Sequence, residues 1–407
     1  MNTSRFFTAG KLGPLTLRNR SIRAAAFEGM CNGHTITPEL LAYHSAVAEG
    51  GIGMSTLAYA AVSKGGLSFP HQLWLRKEIV PELRRFTDAL HSKGAAASIQ
   101  IGHCGNMANS AVTGQKPIAP SGGINWYGPT FPRTMVKDDF KQVVEDFTNA
   151  VRIAVEGGFD AVEVHAGHGY LISQVLSPYT NRRKDEYGGS FENRSRFMRE
   201  VLSAVRNALP NSNALLVKMN SYDGFSGGIT KEEGIETARV IEGSGADALV
   251  VSGGFVSKAP MYVMRGSMPV EVMAHFIKEP FTKFFVRLLG NKLIKPEVFK
   301  EGYFIEDAMR IQQAVKIPVV LVGGMNSMQT IDEAMSRGFE FIAMARALIQ
   351  QPDFVNRLRD ETIAKSNCTV CNYCVAKMYS GTMSCYMNEQ GLSAELQEKI
   401  KRMPHAG

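Results

Sequence analysis

The chain lacks the long apolar runs that a membrane span requires, and its first twenty residues lack the apolar core of a signal peptide. It also lacks the bias of a disordered protein, because 44% of its residues are hydrophobic and 20% are charged. We therefore expect a soluble, cytoplasmic, globular protein without a transmembrane segment. Its 407 residues allow either one large domain or two.

Runs of lysine and arginine are absent as well, and so are zinc-finger and RNP-like motifs. The net charge is nevertheless +7, from 45 basic and 38 acidic residues. An anionic cofactor or substrate accounts for part of this excess. We expect no nucleic-acid partner.

A GxGxxG motif after an early strand is also missing, which weakens the prediction of a Rossmann fold. The chain instead alternates short apolar segments with amphipathic ones. Strands are predicted near Ser21–Ala26, Gly53–Ala60, Ala95–Ile101, Ala161–His165, Leu215–Asn220, Ala248–Ser252, Pro318–Val322 and Phe341–Met344. Helices are predicted at Asp138–Glu156, Glu192–Ala208, Lys231–Gly243, Ile305–Val315 and Met328–Arg337. Eight such units favour an α/β fold closed into a (β/α)8 TIM barrel.

The most informative stretch follows the fourth predicted strand. His165, His168 and Tyr170 come at the end of this apolar segment. Because only two small residues separate the histidines, a tight turn can aim both imidazoles at one carbonyl or nitro oxygen. Tyr170 can then supply a proton beside that acceptor. Two isolated histidines in a loop are more often surface or structural groups.

The residues that follow favour a chemical role. The run SPYTNRRKDEYGGSFENR, residues 177–194, closely resembles the signature of the Old Yellow Enzyme family of FMN-dependent ene-reductases. The resemblance covers most of the chain and implies a TIM barrel that binds FMN and uses NAD(P)H as co-substrate. It also implies reduction of the activated C=C bond of an enone or enoyl compound. In that reaction His165 and His168 bind the substrate's carbonyl oxygen, and Tyr170 protonates Cα.

The resemblance assigns further residues to the flavin ring. Gln100 corresponds to the glutamine that contacts the pyrimidine edge of the flavin. Lys218 stands where the family usually has an arginine beside N1 and O2, so it keeps the charge but loses the bidentate fork. A salt-bridged structural lysine is the alternative for Lys218. The backbone of Ala25 and Ala26 corresponds to the segment that lines the flavin, with Ala25 and Phe27 replacing the usual proline and threonine or cysteine.

Turns after the last three predicted strands suit a phosphate, because barrels commonly bind one there through backbone N–H groups. A glycine in one such turn usually serves chain geometry alone. The family, however, uses these same regions for the FMN phosphate. The residues concerned are Gly253, Gly254, Gly323, Gly324, Ala345 and Arg346.

Two insertions interrupt the FMN-binding barrel, which we place at residues 1–365. The lid segment, residues 104–136, is rich in Gly, Pro, Ser and Asn, and we interpret it as a lid over the active face. The cap, residues 255–303, is basic and aromatic. It is suited to cover the site, to accept a large acidic substrate, to build a homo-oligomer interface or to lie on a membrane surface. We interpret it as a partly buried helical cap with a solvated basic face.

The C-terminal extension, residues 366–407, holds four of the six cysteines: Cys368, Cys371, Cys374 and Cys385. Their spacing resembles the [4Fe–4S] segment of the 2,4-dienoyl-CoA reductase and trimethylamine dehydrogenase branch, although each of the last two gaps is one residue shorter. In that branch the cluster relays electrons to a dinucleotide-binding portion, for which the rest of the chain is too short. Zinc ligands and plain reduced cysteines are the alternatives, whereas a secreted disulfide framework is not expected.

Three other functions stay open on sequence alone. A cluster-bearing dienoyl-CoA-reductase-like enzyme would be fed electrons by a partner protein. A catalytically silent barrel would bind flavin or a lipid as a sensor or scaffold. A flavin-free lyase or aldolase would use Lys218 as a Schiff-base amine.

Overall fold

The strands close into a barrel. The computed structural model describes residues 3–125 and 130–403, and its eight-stranded sheet closes with every neighbouring pair parallel. The barrel strands, β1 to β8, are Ser21–Arg23, Met54–Ala61, Ala96–Gly102, Ala161–His165, Ala214–Asn220, Ala248–Ser252, Val319–Val322 and Phe341–Met344. The eight predicted strands are confirmed with small shifts at their ends, and the protein is a (β/α)8 barrel.

Helices surround the sheet and extend beyond it. In chain order α1 to α16 are Pro38–Glu49, Val80–His91, Ser110–Thr113, Lys137–Glu156, Leu171–Leu176, Phe191–Ala208, Lys231–Gly243, Pro260–Met264, Val270–Phe276, Pro280–Leu293, Ile305–Gln312, Met328–Ser336, Arg346–Gln350, Phe354–Arg359, Tyr373–Lys377 and Ala394–Lys401. All five predicted amphipathic segments are helical. Among the described residues, no helix combines the length and the apolar composition needed to cross a bilayer.

Side chains alternate between the two faces of each strand, as the pleat requires. In β4, Val162 and Val164 pack outward with the surrounding helices, and Ala161 packs with the apolar groups that fill the barrel interior. The interior filling includes Met54, Leu216, Val250, Val320 and Phe341. Glu163 and His165 continue the inward-facing series toward the carboxyl end of the strand, where the filling becomes polar.

The run at residues 177–194, which resembles the family signature, holds the lid segment in place. Arg183 donates from Nη1 to the backbone carbonyls of Pro120, at 2.9 Å, and Met135, at 2.6 Å. These bonds tie the lid segment to the loop after α5 at two points, Pro120 and Met135. Trp126 and Tyr127, the aromatic centre of this segment, lie outside the described residues.

The cap and the C-terminal extension pack on each other. Helices α8, α9 and α10 of the cap share one apolar core with α15 and α16 of the extension. The buried members of this core are Met261, Met268, Val270, Val272, Met273, Ile277, Cys371, Tyr373, Ala376, Leu396, Ile400 and Met403. The sequence analysis treated the two regions separately. The domain boundary at residue 365 stays a prediction.

Candidate active site

A buried polar trio stands where β3, β4 and β5 approach their carboxyl ends. Lys218 Nζ lies 2.9 Å from Glu163 Oε1, and the two side chains are 3% and 2% exposed. Gln100 donates from Nε2 to the same oxygen over 2.6 Å. This pairing explains how the barrel tolerates a lysine, because an unpaired buried charge is costly. The Lys218 amine is thus ion-paired, whereas the lyase alternative would use it as a Schiff-base nucleophile. Glu163 was missed in the sequence, although a carboxylate inside an apolar strand was an available signal.

The segment after β1 reaches this trio. Lys218 Nζ lies 3.4 Å from the carbonyl oxygen of Ala25, so two residues predicted to contact the flavin are neighbours. Arg23 is fully buried, donates to the carbonyl of Ala26 over 3.0 Å and pairs with Glu28 at 2.7 Å. Burial opposes the charge, but the Glu28 carboxylate and the Tyr43 phenol together outweigh it and raise the pKa of Arg23. Arg23 and Glu28, which fix the backbone here, were also missed in the sequence.

The loop after β4 brings the three predicted catalytic residues together. The ring centroids of His165 and His168 are 5.1 Å apart, and that of Tyr170 is 4.6 Å from His165. The turn between them places His168 in the left-handed region, with φ of 58°. Its backbone N–H donates to Asn220 Oδ1 over 2.9 Å, and its Nε2 lies 2.8 Å from Ser252 Oγ. Two other strands therefore fix this loop.

Both histidines are held neutral. Burial, then the neighbouring His168 and Lys218, lower the pKa of His165 well below its usual range. Burial, then Lys218, lower the pKa of His168 to about 3. The N–H of Gly167 donates to His165 Nδ1 over 3.3 Å, which assigns the ring proton to Nε2. A neutral imidazole in this form offers one N–H to an acceptor in front of it.

A second tyrosine, Tyr59, packs against the ring of Tyr170. Tyr59 of β2 has its ring centroid 4.9 Å from that of Tyr170. Burial raises the pKa of Tyr59 well above its usual range, with hydrogen bonding to Tyr170 as a further cause. Its hydroxyl lies 2.9 Å from the hydroxyl of the half-buried Ser68 and 3.7 Å from the buried Sγ of Cys104. Sequence reasoning missed Tyr59, because an aromatic residue in an apolar strand is an ordinary core residue.

The glycine-rich turns lie beneath the cap. A Cβ on Gly323, at φ of 114°, would come within 2.8 Å of Phe304, and one on Gly254, at φ of 92°, within 2.7 Å of a cap valine. These glycines are therefore required by packing and backbone conformation, whatever they bind. Arg346 Nη1 donates to Asn372 Oδ1 over 2.8 Å, so its guanidinium contacts the C-terminal extension. The phosphate-binding roles stay predictions.

The donor set at the barrel mouth fits a flavin. The pyrimidine edge of an isoalloxazine presents carbonyl acceptors and one N–H donor. The Lys218 ammonium, the Gln100 amide and the backbone of Ala25 and Ala26 offer complementary groups within one small region.

The four cysteines of the C-terminal extension face one cavity. Cys368, Cys371, Cys374 and Cys385 are free thiols that line one small pocket of about 20 Å³. Burial raises the pKa of Cys374 to about 12 and that of Cys385 to about 11. Within residues 3–125 and 130–403, no three His, Cys, Asp or Glu side chains are placed to hold a single metal ion.

His103, which follows β3, makes the fold acid-sensitive. It is 4% exposed, its Nδ1 accepts the N–H of Gly105 at 3.0 Å, and burial lowers its pKa from 6.5 to about 4. As the pH falls, the unfolded chain takes up this proton first, so stability is lost from pH 6.5 down to about 4. We expect His103 to lower the free energy of unfolding by about 2 kcal/mol between pH 7 and pH 5.

Urea denaturation across this pH range measures the effect. The variant His103→Asn removes the titrating group and should show a shallower decrease in stability. An unchanged decrease would contradict the assignment to His103.

Comparison with known proteins agrees with this geometry. Residues 5–288 match the profile of the NADH:flavin oxidoreductase / NADH oxidase family. The 4,4'-dithiodibutanoate disulfide reductase of Rhodococcus erythropolis is 39% identical over 383 residues, which are 93% of this chain and 94% of that protein. An NADH oxidase of Thermoanaerobacter brockii is 30% identical over 90% of this chain, which spans only 52% of that protein.

A solved structure shows the same fold. The old yellow enzyme homologue from Zymomonas mobilis superposes with a TM-score of 0.71 at 22% identity, covering 95% of this chain and 99% of its own. The family profile matches well over half of the chain, and the Rhodococcus relative matches along nearly all of it. The chain thus belongs to the NADH:flavin oxidoreductase / NADH oxidase family, the Old Yellow Enzyme family, and is an NAD(P)H-dependent flavin oxidoreductase.

Proposed function

We propose that this enzyme reduces the activated C=C bond of α,β-unsaturated carbonyl compounds with electrons from NAD(P)H. The observation that carries the proposal is the meeting of two neutral imidazoles, His165 and His168, with the phenol of Tyr170 at the barrel mouth. A silent flavin-binding barrel has no need of this donor arrangement.

The cofactor of the proposed reaction is FMN. When bound, FMN supplies hydride transfer from the nicotinamide to the substrate. Lys218, Gln100 and the Ala25–Ala26 backbone would hold the flavin ring. The turns after β6, β7 and β8 would hold the phosphate through Gly253, Gly254, Gly323, Gly324, Ala345 and Arg346.

The histidines stabilise charge on the substrate. A carbonyl oxygen becomes enolate-like as hydride reaches Cβ, and donors already aimed at it need no reorganisation. His165 donates through Nε2. Nε2 of His168 lies 2.8 Å from Ser252 Oγ, so His168 donates to the substrate from Nδ1 in the tautomer in which Ser252 is the donor. Because burial keeps both rings uncharged, they bind the oxygen without giving up a full proton to it.

Tyr170 protonates Cα. Its hydroxyl proton goes to the carbon, and the resulting phenolate takes a proton from Tyr59, which takes one from Ser68. Each hydroxyl gives one proton and receives one. The net transfer is one proton from solvent, reached at the half-buried Ser68, to the substrate.

A disulfide substrate is the second candidate. It is favoured by the Rhodococcus relative, which is named a 4,4'-dithiodibutanoate disulfide reductase and matches 93% of this chain. One hydride and one proton convert a disulfide into two thiols, so the same redox equivalents suffice.

One experiment separates the two substrates. Enzyme reduced anaerobically by NADPH or NADH is mixed either with a cyclic enone or with 4,4'-dithiodibutanoate, and flavin reoxidation is followed with product analysis. We expect fast reoxidation by the enone and, in D2O, deuterium at Cα from the solvent-fed phenol. Fast oxidation by the disulfide with two thiols released, and no reaction with the enone, would establish the second candidate instead.

We infer that Cys368, Cys371, Cys374 and Cys385 hold a [4Fe–4S] cluster, because all four free thiols line one small pocket and their spacing resembles that of a cluster segment. Protein purified without oxygen should contain about four irons per chain, and Cys371→Ser should lose most of them together with the reducible visible absorbance. Cys31→Ser changes a buried cysteine outside the pocket and should keep the iron.

Wild-type protein without iron would contradict the inference. Stoichiometric iron with poor direct oxidation of NAD(P)H would favour electron supply by a partner protein.

A further inference from the structure

The outer surface of the cap is apolar and cationic at once. Six of the eleven exposed large apolar side chains of the described residues lie between positions 281 and 298. We call them the α10 face: Phe281, Phe284, Phe285, Leu288, Leu293 and Val298, which are 73%, 60%, 40%, 58%, 70% and 86% exposed. The sequence analysis expected a solvated basic face here. Monomeric soluble proteins rarely expose such a concentration of large apolar groups without a binding function.

Packing fixes this face outward. On the inner side of α10, Val286 contacts the core shared with the C-terminal extension. Gly290 is buried against Val270, where a Cβ would come within 2.7 Å of Cγ1. Because both inner positions are engaged, α10 cannot rotate its phenylalanines into the core without losing these contacts. The apolar groups therefore stay at the surface.

Lysines without counter-ions lie in and beside α10 in the chain. Within the described part of the chain, the exposed residues Lys278, Lys292, Lys295 and Lys300 form no ion pair. Two of the nearby carboxylates are paired with arginines, Glu271 at 3.6 Å from Arg287 and Glu297 at 3.4 Å from Arg265, and the exposed Glu279 offsets one lysine charge. The α10 face thus carries an excess of unpaired positive charge.

The charges and apolar groups of the α10 face distinguish between a second copy of this chain, another protein and a lipid bilayer as its binding partner. A second copy in a two-fold arrangement would bring two cationic faces together, which costs electrostatic energy. The buried centre of a protein interface is depleted in lysine, whereas here Lys283 and Lys292 lie among the phenylalanines and leucines of a helix about 20 Å long. Aromatic and leucine side chains with lysines among them suit the boundary of an anionic bilayer, where rings enter the acyl region and ammonium groups stay at the phosphates.

We propose that the α10 face binds the surface of an anionic phospholipid bilayer and that the protein is a peripheral membrane protein. This inference is independent of the reaction that the barrel catalyses. Binding combines burial of the phenylalanines with attraction of the lysines to lipid phosphates, so it falls with rising salt.

Co-sedimentation of the flavin-loaded protein tests the proposal. The vesicles are phosphatidylcholine with phosphatidylglycerol, or phosphatidylcholine alone. We expect binding to the anionic vesicles at low salt, little binding to the neutral ones, and release by NaCl. Phe281→Ser with Phe285→Ser, and separately Lys292→Glu with Lys295→Glu, should each weaken binding by about tenfold or more.

Matched controls keep the test specific. Phe131→Ser removes an equally exposed phenylalanine, 61% exposed, from the lid segment, and Lys137→Glu with Lys141→Glu reverses two exposed lysines on α4. Both controls should bind vesicles as the wild type does. Absence of vesicle binding, equal binding to neutral vesicles, or equal loss in the controls would overturn the proposal. So would a dimer in sedimentation velocity that dissociates in the Phe281→Ser, Phe285→Ser variant while the wild type ignores vesicles.

Discussion

Replacing Lys218 by methionine is expected to lower the free energy of unfolding by about 3–5 kcal/mol, because it leaves the buried carboxylate of Glu163 without its cation. Gln100 still donates one hydrogen bond to that carboxylate, which does not neutralise its charge. FMN affinity should also fall by about tenfold or more, the effect of losing one charged hydrogen-bond donor. Urea denaturation of the apoprotein and fluorescence titration with FMN measure the two effects separately.

The matched control is the double variant Glu163→Gln with Lys218→Met. It replaces the ion pair by two neutral side chains of similar size, so most of the lost stability should return. FMN affinity should stay low, because the cation is missing in both variants. A double variant as unstable as the single one would show that the two charges are not coupled. Wild-type FMN affinity in the double variant would contradict the proposed flavin contact of Lys218.

Replacing both His165 and His168 by alanine is expected to slow flavin reoxidation by an enone by about 10²–10³-fold or more, because the developing oxyanion loses its donors. Binding of phenol ligands should weaken in parallel. Reduction of the flavin by NAD(P)H should change little, since it needs no donor to a substrate oxygen. Stopped-flow measurement of the two half-reactions separates these outcomes.

The asparagine pair at the same positions is the informative control. His165→Asn with His168→Asn keeps an N–H donor on each side chain and should recover part of the rate. In the wild type, the pKa of His168 near 3 means that this ring stays neutral from pH 8 to pH 5. Protonation of His168 should therefore not change the enone rate in that interval. An alanine pair with normal enone turnover would refute both roles.

The local parts of this protein could be predicted from its sequence. All eight barrel strands were recognised, because an apolar segment of strand length between amphipathic segments is a local pattern. The convergence of His165, His168 and Tyr170 was also predictable, because the three residues follow one strand within a single turn. The phosphate contacts stay a prediction, since turn glycines satisfy packing and binding alike.

The partners of the buried charges were not predictable. The sequence shows Lys218 in an apolar strand, but Gln100 and Glu163 are 63 residues apart and Lys218 and Ala25 are 193 residues apart. Nothing local relates such positions, and only the closure of the barrel makes their strands neighbours. Tyr59 was missed for the same reason, because its contact with Tyr170 joins two different strands.

The sequence by itself determined the barrel, the loop that holds His165, His168 and Tyr170, and the four cysteines of one extension, since each depends on residues close together in the chain. Tertiary structure alone decided which carboxylate neutralises Lys218, that the cap and the extension share one core, and that α10 turns its phenylalanines to solvent. The physical reason is that burial and charge pairing depend on distances between atoms in space. The amphipathic pattern of α10 shows that it has two unlike faces, but only its packing against Val270 determines which of them faces water.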